Sequence, residues 1–249
     1  MKHAPATVDW KALSGARIFF GHQSVGENIL EGIQDLLKEN PGAALQILKS
    51  PDPASLSGPA FLHTSIGKNE DPKSKCDDFA RIMESGVAEK VDIACFKFCF
   101  VDVTADTDVE DLFAYYEKTL ATLKTKYPKT TFVHVTVPLT TVPSGPRVWL
   151  KSVLGILKGW HADNAARNRY NEILLRHYEG REPVFDLARA ESTLPDGARC
   201  SYHYKGDVYS CLVSAYTCDG GHLNPLGRRV VAQQFLAFLG ELAARTPRN

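Results

Sequence analysis

The chain has 249 residues, 44% of them hydrophobic and 23% charged, which is length and apolar content enough for a globular domain with a substantial core. Lys plus Arg and Asp plus Glu both number 29, so the formal net charge is zero, and neither a basic stripe for nucleic acid nor an acidic tail for a polycation is present. No apolar run approaches the ~18 residues of a membrane span, and the first ten residues, MKHAPATVDW, lack the apolar stretch of a secretory leader. A leader removed ahead of residue 1 would leave the same sequence, so localisation stays open, with a secreted or periplasmic site favoured in that case.

Arg17-Ile18-Phe19-Phe20 is a short apolar run ending at Gly21, and from Ser24 onward Ile29, Ile33, Leu36 and Leu37 fall on one helical face. The pattern predicts strand, tight turn and helix. Ser24 then stands at the mouth of the helix, where it has two readings. It is either an N-cap or a nucleophile whose developing oxyanion meets the unpaired N–H groups of the first turn. Asn40-Pro41-Gly42 stops the helix, and residues 44–48 are a second strand. Residues 50–72 are rich in Pro, Ser and Gly and read as a long functional loop, whose most suggestive polar group is His63-Thr64-Ser65-Ile66-Gly67-Lys68-Asn69. A helix burying Phe79, Ile82 and Met83 follows.

Residues 92–103 form the most apolar segment, suited to the centre of a parallel sheet. Lys97 interrupts it: a mid-strand lysine reaches past the strand end, pairs with a carboxylate or works chemically, pairing being the commoner case, and Asp102 is a candidate partner for a neighbouring segment. A helix over 112–127, a strand over 131–137 and a Pro-rich loop over 138–147 come next; the loop lies where ligand sites of open α/β sheets gather. Residues 149–178 read as helical with a break near Gly159, and Asn164, Asn168 and Asn171 fall on what reads as a solvated face. Residues 183–187 are the fifth strand. The last helix has Asn224 as cap, Pro225 at its first position and Val231, Phe235, Phe238, Leu239 and Leu242 as its buried stripe. Strands alternating with helices predict one domain over 1–249, a three-layer α/β/α sandwich around a mainly parallel five-stranded sheet.

Five of the six cysteines fall into two sets. Cys95 and Cys99 read as buried thiols in the apolar strand. Cys200, Cys211 and Cys218 are crowded into a polar segment that suits a disulfide better than zinc, because no paired Cys-x-x-Cys spacing accompanies them. No cluster of His, Asp or Glu has metal-ligand spacing along the chain, so neither a metal nor a cofactor is expected. Just ahead of the last helix lies Asp219-Gly220-Gly221-His222, whose spacing lets the carboxylate hold one imidazole nitrogen and leave the other as a general base.

With Ser24 and Gly26 near one end and Asp219-x-x-His222 before the final helix, the chain resembles the SGNH (GDSL-type) hydrolases, whose fold is flavodoxin-like. The resemblance implies Ser24 as nucleophile, His222 as base and Asp219 as its partner. It also implies an oxyanion hole made of the Ser24 N–H, Gly67 and an Asn from a Gly-x-Asn-Asp block. Here that block reads Cys99-Phe100-Val101-Asp102, and Val101 cannot donate; Asn69 is the candidate replacement. The implied activity is hydrolysis of a carboxylic, chiefly acetyl, ester on a small molecule or carbohydrate. An O-acyltransferase with the same triad, and an idle carbohydrate-binding protein using Trp149, Tyr202, Tyr204 and Tyr209, are the alternatives.

Overall fold

The computed structural model describes residues 7–142 and 159–246. Its strands are β1 (Arg17–His22), β2 (Ile47–Lys49), β3 (Ala60–Ser65), β4 (Ile93–Phe96), β5 (Thr131–Val135) and β6 (Val184–Phe185), with a hairpin of β7 (Ser201–Tyr204) and β8 (Asp207–Ser210) outside the main sheet. The helices are α1 (Trp10–Ser14), α2 (Val25–Glu39), α3 (Pro72–Ile82), α4 (Val109–Lys126), α5 (Trp160–Tyr178), α6 (Leu187–Ser192) and α7 (Pro225–Arg245). The main sheet runs β2-β3-β1-β4-β5-β6, and each neighbouring pair is parallel.

Alternation along β1 sets the layers. Ile18 and Phe20 join the core under α2 and α7, with Val231, Phe235, Leu236 and Leu239 opposite them. Phe19 points the other way, into the core under α3 and α4 with Phe79, Phe96 and Tyr116. Two apolar cores on the two faces of one parallel sheet are what a doubly wound α/β chain requires. Arg228 of α7 clamps the second layer by pairing with both Glu31 and Asp35 of α2. No helix among the described residues is long and apolar enough to cross a membrane.

The sheet has six strands where five were expected, because β3 lies inside the stretch read as a loop. Its six residues, AFLHTS, are too short and too polar at the C-terminal end to show a period, and Gly58-Pro59 disguises the start. Buried between β2 and β1, the strand gains its stability from partners that no local pattern reveals. The apolar run at 92–103 is likewise shorter as a strand. After Phe96 the chain turns into a 3-10 turn at Phe100–Asp102, closed by the Asp102 carboxylate accepting the Cys99 N–H at 2.5 Å.

Of the three asparagines of α5, Asn164 and Asn171 are buried and Asn168 is half-buried. Asn171 exchanges two hydrogen bonds with the Val137 backbone, Asn164 two with Thr140, and Asn168 two with Ser210. Each amide presents both an N–H donor and a C=O acceptor to the backbone and so substitutes for a strand neighbour, which fixes the chain beyond β5 and ties the hairpin to α5. The part of the predicted helix before Gly159, Trp149 included, lies outside the described residues, as does the end of the Pro-rich loop.

Burial leaves a pH signature in this layer. Glu191 is fully buried; burial pushes its carboxyl up to about 8, against the Leu139 N–H that favours the ionised form, and its Oε2 has no partner. The folded state therefore keeps a proton that the unfolded chain releases near pH 4.5, so this contribution to stability is full below that pH and disappears as pH rises through about 8. Glu191→Gln is expected to flatten the fall in unfolding free energy between these limits, a slope of about 1.4 kcal/mol per pH unit at most. Urea melts of the two proteins at pH 5 to 8 measure it, and parallel curves would show that Glu191 is ionised in the fold.

Candidate active site

The turn between β1 and α2 carries Ser24 at the N-cap position with φ 22° and ψ −87°, and its side chain makes no capping hydrogen bond. A positive φ on a serine is uncommon and costs conformational energy, so a simple cap is a poor account of it. Among the described residues its hydroxyl contacts the Cys99 thiol, with Oγ and Sγ 3.7 Å apart. Two residues on, Gly26 is required by space, because a Cβ there would meet the His22 ring. That glycine lets the first turn of α2 settle onto the end of β1 and aim Ser24 outward.

Asp219 and His222 meet as their spacing predicts. Asp219 Oδ2 is 2.7 Å from His222 Nδ1, while Oδ1 accepts the N–H groups of Gly221 and His222 at 2.9 and 2.8 Å. Burial would raise the Asp219 carboxyl, but these hydrogen bonds outweigh it and hold the group well below the usual carboxylate range. The carboxylate is therefore fixed as the partner of one imidazole nitrogen. The His222 ring stands edge-on to Phe100, with centroids 5.3 Å apart, and Gly221 presses so close to that phenyl that a Cβ would come within 2.7 Å of it. Leu223 N–H donates to Asn28 Oδ1 at 3.1 Å, which moors the His222 turn to α2 one helical turn beyond Ser24.

Ser24 and His222 thus flank consecutive residues, Cys99 and Phe100, without a direct hydrogen bond between them. Asp219 and His222 line a cleft of about 720 Å³ together with Phe100, Thr140, Trp160 and Arg167, and Ser24 lies outside its lining. Arg167, which the sequence reading missed, donates to the carbonyls of Phe100 and Val103 and to Thr140 Oγ1. It fixes the cleft wall from below. Burial lowers its guanidinium to about 10, still charged at neutral pH.

No protein-family model and no curated protein sequence matches the chain. Among solved structures, a mutant acetyl esterase with an acetate ion aligns over 93% of this chain and 98% of its own at 13% identity and TM-score 0.52. A protein of Slackia heliotrinireducens described as an SGNH hydrolase aligns over 90% and 99% at 12% identity and TM-score 0.49. A Clostridium thermocellum family 3 carbohydrate esterase aligns over 93% and 99% at 11% identity and TM-score 0.45. The likeness to the acetyl esterase is one of fold, an α/β chain with a mainly parallel central sheet flanked by helices, as the SGNH-type resemblance implied.

Two positions expected from the SGNH pattern come out differently. Gly67, with φ +51°, donates its N–H to Asp78 Oδ2 at 3.0 Å, so that amide is already engaged and is not a waiting oxyanion donor. Its carbonyl and that of Ile66 instead accept from Gln23 Nε2, each at 3.0 Å, which ties this loop to the residue before Ser24. Asn69 is exposed, with its Oδ1 taking a hydrogen bond from Lys75 Nζ at 3.0 Å. Lysine only donates, so the oxygen faces Lys75 and the amide NH₂ is the end left for another partner.

Asp102 is not the partner of Lys97. It forms a buried ion pair with Lys75 and also accepts the Glu70 N–H at 3.0 Å. Lys97 is fully buried, donating to the Phe98 carbonyl at 3.2 Å and the Cys99 thiol at 3.4 Å, and burial lowers its ammonium below the ordinary value. The second cysteine set forms no disulfide: Cys200 and Cys211 face each other as thiols with Sγ atoms 3.0 Å apart, and Cys218 is a separate, exposed thiol. The expectation that no metal-type cluster exists also needs correction. His22, Glu27 and His63 bring three ligand atoms within 4.8 Å of one another, a grouping hidden from sequence spacing because β3 lies between distant parts of the chain.

Proposed function

We propose that this chain is a serine esterase that hydrolyses carboxylic esters, acetyl esters foremost, on a small molecule or carbohydrate, through Ser24, His222 and Asp219. The observation that carries the reading is the Asp219–His222 pair at 2.7 Å, moored to the helix whose N-cap serine has a strained backbone and an uncommitted capping role. In the reaction Ser24 Oγ leaves the thiol of Cys99, gives its proton to His222 Nε2 and bonds the ester carbonyl carbon. Asp219 holds Nδ1–H and stabilises the imidazolium. Collapse of the tetrahedral species expels the alcohol, which takes the proton from His222. Water, deprotonated by the same imidazole, then frees the acid and restores Ser24.

The oxyanion forms beside the first turn of α2. Among the described residues the Ser24 N–H has no acceptor in the protein, so it supplies the first donor, and the dipole of the 15-residue helix adds to it. Asn69 Nδ2 is the second donor in this reading, replacing the amide lost at Val101, while Gly67 contributes by shaping the loop. Asn69→Ala is expected to lower kcat about a hundredfold with little change in KM, since an oxyanion donor acts in the transition state. Steady-state kinetics on a short aryl acetate test both proposals. Turnover by the wild type and its loss in Ser24→Ala are expected; an inactive wild type would remove the esterase reading, and an unchanged kcat in Asn69→Ala would remove that residue from the site.

A further inference from the structure

The end of β1 and the start of α2 hold a second chemical grouping, on the sheet face opposite the Lys75–Asp102 pair. His22 stacks on Phe20, within the core shared with α2 and α7. Its Nε2 lies 3.0 Å from His63 Nδ1 and 3.9 Å from Glu27 Oε2. The three side chains come from β1, β3 and the first turn of α2, with both imidazoles buried and Glu27 reaching solvent.

We propose that His22, His63 and Glu27 form a binding site for a zinc-class divalent cation that pins β1, β3 and α2 together behind the Ser24 turn. Two nitrogens and a carboxylate oxygen are a zinc donor set, and at bonds of about 2.0–2.1 Å a tetrahedral site spaces its ligand atoms roughly 3.3–3.4 Å apart. The observed separations of 3.0 and 3.9 Å bracket that value, so small side-chain movements suffice. A fourth position opens toward solvent beside Glu27, whose side chain is 47% exposed.

His22 is 0% exposed, and the nitrogen it turns to His63 and Glu27 is Nε2, while its Nδ1 faces away from them without a hydrogen-bond partner. Binding uses His22 Nε2 and His63 Nδ1, each ring carrying its proton on the other nitrogen, so the rings release none. The Lys49 ammonium already stands 4.0 Å from Glu27 Oε2; 62% exposed, it is free to swing away when a metal takes the carboxylate. On the core side Phe20, Phe61 and Phe235 pack, and the buried Lys97 ammonium is the positive charge that His22 meets from within.

Isothermal titration of zinc chloride into chelator-stripped full-length protein tests the site, with thermal unfolding measured alongside. One equivalent is expected to bind and to raise the melting temperature, with affinity at least a hundredfold weaker in His63→Gln and in Glu27→Gln. Glu27 is partly exposed, so its variant folds whatever happens to His63→Gln. Cys200→Ser/Cys211→Ser should bind as the wild type does, and cobalt(II) in place of zinc should give ligand-field bands without thiolate charge transfer. No saturable binding, affinity unchanged in Glu27→Gln, or a thiolate band from cobalt would each overturn the proposal. None of these readouts depends on ester turnover.

Discussion

Ser24→Ala and His222→Ala are each expected to lower kcat for an aryl acetate by on the order of 10⁴-fold or more, and the double variant is expected to be little worse than either alone. Nucleophile and base act as one unit: removing either ends the covalent route, and what remains is binding plus the donors around Ser24. The non-additivity is the diagnostic part. Two losses that multiply would mean that Ser24 and His222 serve different steps. Steady-state kinetics on the three variants, each shown to be folded by circular dichroism, measure it.

The second large effect falls on stability. Lys75 and Asp102 form an ion pair with both side chains at 0% exposure, and Asp102 also closes the turn at Cys99 and holds the Glu70 N–H. Lys75→Met leaves a buried carboxylate without its counter-charge and is expected to cost about 3–5 kcal/mol of unfolding free energy. Because Asp102 orients the Cys99–Phe100 turn between Ser24 and His222, activity in this variant should fall at temperatures where it is still folded. Guanidinium melts read the first effect; a loss under about 1 kcal/mol would show that the carboxylate is compensated by its backbone donors alone.

Much of this was legible in the sequence because it rests on local chemistry. Ser24 at a strand-to-helix turn, the Asp219–His222 spacing and the Asn224-Pro225 helix start are each decided within a few residues, and the structure has all three in those conformations. What was not legible depends on partners far away in the chain. β3 exists because two strands flank it. Asn164, Asn168 and Asn171 look like a polar surface stripe until the backbone beyond β5 and the hairpin arrive to take their amides. The same reason hid the identity of Lys75 as the partner of Asp102, and the imidazole pair of His22 and His63, 41 residues apart. Gly67 misled for a different reason: its place after an early strand fitted the SGNH pattern, but the Asp78 carboxylate on α3 had already claimed its N–H.

The central claim is that Ser24 is a nucleophile. Incubation with a serine-directed fluorophosphonate, followed by intact-mass measurement and peptide mapping, tests it most directly. The account predicts one adduct per chain, carried by the peptide containing Ser24 and absent from both Ser24→Ala and His222→Ala. A wild-type protein that stays unmodified, or an adduct mapped to any other residue, would contradict it.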